Sequence, residues 1–168
     1  MGKRCFFIGH RDTPDEIYPA LQQAVQQHIT EYSVTEFLVG HYGRFDHLAA
    51  KAVIDAKKQY PDITLTMLIP YHPAEQAIFL PAGFDQTLYP PDIENVPRKF
   101  AIIQANHYAV THSDYLIAYV CHPASNARNL VEYAEKHGVA IHLLKEGFFC
   151  HSIQQNEEKT GHDRIFLV

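Results

Sequence analysis

The chain has 168 residues, 46% of them hydrophobic and 20% charged, with a formal net charge of −5 at pH 7. That length suits one domain of the usual roughly 100–200 residues. It is enough to bury a core without disulfide or metal staples, and the composition excludes collagen-like and disordered chains. No apolar run reaches the roughly 20 residues of a bilayer span, and the apolar part of MGKRCFFIGHRD is too short for a secretory signal. Cys5, Cys121 and Cys150 are odd in number and form no CxxC pair, which argues against a disulfide framework or zinc knuckle and for a reducing, cytoplasmic setting. The negative balance offers no overall basic field, so nucleic acid is not expected as a partner, and neither is a membrane. Twelve histidines are scattered along the chain. No HExxH or paired His/Cys grouping stands out among them, so they read as incidental, with no metal and no cofactor implied. Their protonation between pH 7 and 6 is expected to draw the net charge toward zero.

The first apolar run, Cys5-Phe6-Phe7-Ile8, is short, aromatic and β-branched and stops at Gly9-His10-Arg11, which predicts a buried strand. Thr13 as cap, Pro14 at the first helical position and Asp15-Glu16 after it predict a helix start. Ile17, Leu21, Val25 (or Ala24) and Ile29 would form its inner face. Residues 34–39 predict a second strand, ending in Gly40-His41-Tyr42-Gly43. The next helix would turn Leu48, Ala49, Ala52, Val53 and Ala56 inward and Lys51, Lys57 and Lys58 outward, until Tyr60-Pro61-Asp62 stops it. Residues 63–69 predict a third strand. Residues 70–97 then break the rhythm with Pro70, Pro73, Pro81, Pro90, Pro91 and Pro97. They read as a long connection with a short helix near 74–79, of the kind that serves as a lid or binding loop. A helix over 98–112, a strand over 115–120, a loop at 121–125, a helix over 126–137 and a strand over 139–144 follow. Residues 1–147 form the expected domain, and 148–168 a polar tail whose Ile165-Phe166-Leu167-Val168 could add an edge strand.

Strands alternating with amphipathic helices predict an α/β fold, a Rossmann-like three-layer αβα sandwich with a mainly parallel sheet. In such sheets ligands bind beyond the carboxyl ends of the strands. Polar groups cluster at four of those ends: Gly9-His10-Arg11, Gly40-His41-Tyr42-Gly43, Pro70-Tyr71-His72 and His122-Pro123-Ala124-Ser125-Asn126. Glycine permits close backbone approach, a helix N-terminus offers free N–H groups to an anion, and Arg11 can fork onto a phosphate. The plainer reading is that Gly9 and Gly40 only close tight turns. GxGxxG and a P-loop lysine are absent, which argues against a standard NAD dehydrogenase or P-loop NTPase. Asp46 reads either as a first-turn acid favoured by the helix dipole or as an acceptor for a ribose or for Arg11. Glu132 reads plainly as a partner of Lys136 at i+4, Arg98 as a solvated helix residue, and Cys121 as a core thiol.

These residues resemble the SLOG superfamily, named for SMF/DprA and LOG proteins, and especially its short bacterial YpsA-like branch. The resemblance spans roughly residues 3–145. It rests on FFIGHRDTP (6–14), FLVGHYGRFDHLAA (37–50), Arg98 with Asn106 and HSDYLIAYV (112–120), and SNARNLVEYAEKHGVAIHLL (125–144). It implies a domain binding nucleotides or nucleotide-derived ligands through Gly9, His10, Arg11, Gly40, His41, Gly43, Asp46, Ser125 and Asn126. In LOG enzymes an arginine and a glutamate near P-G-G-x-G-T-x-x-E hydrolyse the N-glycosidic bond of nucleoside monophosphates; Arg98 and Glu132 would hold those catalytic roles here. The chain departs from that motif: it reads His122-Pro123-Ala124-Ser125-Asn126, without the paired glycines.

Three functions follow. The first is a binding or sensing module for a nucleotide or nucleotide-derived small molecule, with the 70–97 loop closing over the base. The second is a phosphoribohydrolase in which Glu132 stabilises developing positive charge or activates water; a buried Glu132 with a raised pKa would favour it, an exposed one would count against it. The third, single-stranded nucleic-acid binding, ranks last for want of a basic stripe. Apolar surface on paired helices also favours a homo-oligomer.

Overall fold

The structure is a computed structural model and describes residues 2–145. Six strands form one all-parallel sheet: β1 (Lys3–Ile8), β2 (Val34–Val39), β3 (Thr64–Leu68), β4 (Gln86–Leu88), β5 (Tyr115–Ala118) and β6 (Ala140–Leu143), in the order β4-β3-β2-β1-β5-β6. Four helices cover it: α1 (Tyr18–Thr30), α2 (Arg44–Lys57), α3 (Ala101–Thr111) and α4 (Asn126–Lys136). This is the expected αβα sandwich. The tail at 148–168, with its expected edge strand, lies outside the described residues.

Successive side chains of a strand point to opposite faces, and that alternation divides the core in two. Cys5 and Phe7 join Phe37, Leu65 and Ile117 beneath α1 and α2, whose Leu21, Val25, Leu48 and Val53 complete that layer. Phe6, Leu38, Leu68 and Leu116 face the other way, against Ala105 and Ala109 of α3 and Leu130 and Val131 of α4. A sheet buried on both faces needs near-continuous apolar strands, which is why β1, after Lys3 and Arg4 at its start, reads CFFI with no polar break.

Local chemistry moves several boundaries. Thr13 does not cap a helix: its hydroxyl donates to the His10 carbonyl at 2.7 Å, a 3-10 turn fills Asp15–Ile17, and α1 starts at Tyr18. Pro97 similarly leads into a 3-10 turn over Arg98–Phe100 before α3. No helix forms at 74–79. The His72 carbonyl accepts from the amides of Glu75 and Gln76, and its Nδ1 accepts from Ala74, closing a turn instead. The chain then adds β4 at the sheet edge, where Asp85 accepts from the Leu65 amide at 2.7 Å and pairs with Lys57 at 2.6 Å.

The histidines are less available to protons than the composition suggests. His28 of α1 is 1% exposed, donates from Nδ1 to the Ala24 carbonyl at 2.7 Å, and sits among the rings of Tyr32, Tyr115 and His142. Burial lowers its pKa to about 4; the Ala24 carbonyl and Glu31 oppose this, and His142 adds to it. Burial also lowers His10, His41, His107 and His142. The expected drift of charge between pH 7 and 6 is therefore blunted by the fold.

A histidine held neutral in the fold but free to protonate when unfolded contributes stability that is complete above about pH 6.5 and lost as pH falls toward its folded pKa. Urea unfolding between pH 7 and 4.5 should show a falling free energy, of which His28 supplies up to about 3 kcal/mol. The profile of His28→Leu should be visibly flatter. Parallel profiles would remove His28 as the source.

Candidate ligand site at the carboxyl ends of the strands

The sheet order reverses across β1, with β2 on one edge and β5 on the other. Such a switch point opens a crevice at the carboxyl ends of the strands. A cavity of about 260 Å³ lies there, lined by Gly9, His10 and Arg11 after β1, Gly40, Tyr42 and Gly43 after β2, and Phe45 and Asp46 of α2. Pro70, Ile102, Ala105 and Asn106 line it as well, with Asn126 and Ala127 opening α4. Its volume is near the lower end of ligand pockets, which run from roughly 300 to 1,000 Å³.

The two helix N-termini at this cavity differ. The α2 terminus is already used by the protein: Arg44 donates to the Arg11 carbonyl at 3.0 Å and Phe45 to the His10 carbonyl at 3.3 Å. At α4, Ser125 is the N-cap; its hydroxyl accepts from the Arg128 amide at 3.1 Å and donates to the His122 carbonyl at 2.9 Å. The first two amides of α4, Asn126 and Ala127, have no partner among the described residues and lie on the cavity wall. Arg11, also on that wall, makes no ion pair or hydrogen bond among the described residues. Free N–H groups at the positive end of a helix and a guanidinium without a hydrogen-bond partner are groups that can receive an anion.

The glycines serve protein packing at this point. A Cβ on Gly9 would lie 2.2 Å from Cγ of Phe45, and one on Gly43 would lie 3.0 Å from Cα of Arg11. These clearances let α2 approach the end of β1 closely enough for its amides to reach the carbonyls of residues 10 and 11. At Gly9 it is the packing of Phe45, rather than turn closure, that calls for a residue without a side chain.

Asp46 is the acid of the cavity. Its carboxylate accepts from the Tyr42 amide at 3.1 Å. Burial raises its pKa, against the pull of the Tyr42 and Gly43 amides, His47 and Arg11. An acid of raised pKa lining a cleft is a candidate functional group. His10 is 8% exposed, and its Nε2 accepts from the Cys121 amide at 2.9 Å. Burial and His122 keep its pKa low, against Asp12. His41 lies outside the cavity lining; its ring packs on Tyr42 with centroids 4.0 Å apart.

Arg98 and Glu132 are not brought together here. Arg98 stacks 4.1 Å over the Tyr71 ring, pairs with Glu75 at 3.6 Å and lines a separate cavity of about 220 Å³ with Tyr71 and His72. Glu132 is exposed and pairs with Arg128 at 3.2 Å, one turn back along α4 rather than with Lys136. Of residues 70–97, only Pro70 lines the switch-point cavity. Ala127, Tyr42 and Asn106 are wall residues that the candidate list lacked; an asparagine in the apolar stripe of α3 beside Ile102 and Ala105 is the sequence signal for the last.

No protein-family model and no curated protein sequence matches the chain. Among solved structures, DNA processing protein A (DprA) from Streptococcus pneumoniae superposes with a TM-score of 0.63 over 92% of this chain, at 16% identity. DprA from Helicobacter pylori, described for its unique single-stranded DNA binding mode, superposes with a TM-score of 0.62 over 95%, at 13% identity. The chain shares its fold with DprA. It spans 56% of the pneumococcal protein and 74% of the Helicobacter one, and both neighbours belong to the SMF/DprA–LOG superfamily.

The expectation that nucleic acid is not a partner needs correction. A protein of this fold is described as binding single-stranded DNA, so a net charge of −5 does not exclude that ligand class. Net charge sums over the whole surface, whereas single-stranded nucleic acid is held by a locally positive groove with aromatic side chains on which bases stack. No helix among the described residues is long and apolar enough to cross a membrane.

Gly9→Ala should lower unfolding free energy by about 1–3 kcal/mol, the usual cost of an added methyl in a full site. Adding Phe45→Leu should recover part of that loss in denaturant titrations. An unchanged midpoint for Gly9→Ala would break the link between Gly9 and Phe45.

Proposed function

We propose that the chain binds a nucleotidyl group at the switch-point cavity, its phosphate held by the Asn126 and Ala127 amides and Arg11. The observation that carries this is the convergence of two unpartnered helix-start amides and an unpaired guanidinium on one cavity. Asn106 and the Asp46 carboxyl are the polar groups left for the sugar or base.

Two sources share that chemistry. The modest cavity suits a single nucleotide, free in solution. The fold likeness to the Helicobacter protein supports a second reading, in which the same groups hold one phosphate of single-stranded DNA. Binding is preferred over N-glycosidic hydrolysis because Glu132 is exposed and paired with Arg128 and Arg98 is engaged by Tyr71 and Glu75. Motif order supports placing the chain with the short YpsA-like branch of the superfamily.

Thermal shift with a panel of nucleoside mono-, di- and triphosphates, and fluorescence anisotropy with a labelled oligo-dT, distinguish the sources. A free nucleotide should raise the melting temperature with little effect from oligo-dT. A DNA-binding chain should instead bind oligo-dT with an affinity that falls steeply with salt. In either arm Arg11→Ala should weaken binding by roughly 10- to 100-fold, the worth of a charge-assisted contact. Undiminished binding in that variant would sink the assignment of this cavity.

Chromatography of nucleoside monophosphates after incubation should recover them intact. Release of free base that vanishes in Glu132→Gln would restore the hydrolase reading.

A further inference from the structure

One group of side chains is left over from the ligand site. Parallel pairing of β1 with β5 aligns Ile8 with Ala118 and so brings the residues just beyond the two strands together. His10, Cys121 and His122 meet there, with one nitrogen or sulfur from each within 4.8 Å of the others. The rings of His10 and His122 are 4.6 Å apart, and His122 Nε2 lies 3.9 Å from the Asp12 carboxylate. In the sequence this cluster is hidden, since 111 residues separate His10 from Cys121.

We propose that His10, Cys121 and His122 form a binding site for a divalent transition-metal ion of the zinc class, with Asp12 beside its open fourth position. Two imidazoles and a thiolate are the donors that favour Zn²⁺ over Mg²⁺ or Ca²⁺. In a tetrahedral zinc site the ligand atoms stand about 3.5 Å apart, given metal bonds of about 2.0–2.3 Å. The observed cluster needs to contract by about an ångström, and His122, with half its side chain exposed, is free to supply that movement. On binding, the Cys121 thiol releases its proton to solvent and the sulfur coordinates as thiolate. The His10 Nε2 lone pair, which now accepts from the Cys121 amide, passes to the metal. Because His10 also lines the switch-point cavity, the ion would sit at its rim. The inference does not depend on the nucleotidyl reading, since its test measures metal alone.

The experiment uses the full chain, stripped with a chelator and desalted. Zn²⁺ is titrated in competition with a chromophoric chelator, and Co²⁺ is added in parallel to read the thiolate-to-cobalt absorption band. The parent should take up one equivalent and show the band, and excess Mg²⁺ should not displace the ion. Cys121→Ser and His122→Ala should each weaken zinc binding by more than the roughly 10–100-fold that follows loss of an outer partner, and Cys121→Ser should abolish the band. Cys150→Ser should leave both unchanged. Absence of the band in the parent, or zinc affinity in both site variants equal to the parent's, overturns the proposal. If the band is lost instead in Cys150→Ser, the metal belongs elsewhere and the proposal also falls. Metal-free thermal unfolding checks that each variant is folded; should Cys121→Ser fail, the exposed His122→Ala carries the test.

Discussion

β1 is hydrogen-bonded on both edges and covered on both faces, and the remaining elements are placed by how that strand is satisfied. Phe6 fills the α3/α4 layer and Phe7 the α1/α2 layer, where it stacks on Phe37 with centroids 5.8 Å apart. Each such ring contributes roughly 1.5–3 kcal/mol when fully buried, and the backbone polar groups of the buried residues Cys5 to Phe7 need a neighbour because no water reaches them. β2 takes one edge and β5 the other. The chain therefore leaves in opposite directions from the two sides of β1, and the crevice this opens is where its candidate ligand groups gather.

That crevice is asymmetric. On the β2 side, α2 approaches so closely that its first amides bond to the carbonyls of Arg11 and His10, an approach that Gly9 and Gly43 permit. On the β5 side, Ser125 caps α4 at the Arg128 amide, and the next two residues, Asn126 and Ala127, line the cavity. One terminus is spent on the fold, and the first two amides of the other have no partner among the described residues. Asp46, held by the Tyr42 amide, is the carboxyl on the cavity wall.

The layered fold was legible because period and punctuation agree locally: CFFI before Gly9, VTEFLV before Gly40, apolar stripes at helical spacing after each. The misreadings fall where side-chain and backbone hydrogen bonds compete. Thr13 has the residue type of a helix cap but bonds back to His10, and Ala74–Phe79 has helical composition but is turned by His72. β4 is three residues long and owes its place to Asp85 reaching Leu65 and Lys57, contacts that no local pattern encodes. The site was legible as a set of strand ends. The places of Ile102 and Ala105 on its wall, and the separation of Arg98 and Glu132 from it, were not, because helix rotation and ion-pair choice are settled by packing.

The sequence by itself determined the αβα class, that Cys5–Ile8 is a buried strand, and the strand ends where polar groups accumulate. These follow from periodicity, turn residues and the rule that ligands sit beyond parallel strands. Only the tertiary structure decided which helix start is spent on the protein and which is open, that His28 is held neutral, and that His10 meets Cys121 and His122. Each of those depends on parallel pairing or close packing between segments far apart in the chain, and distance along the chain carries no record of them.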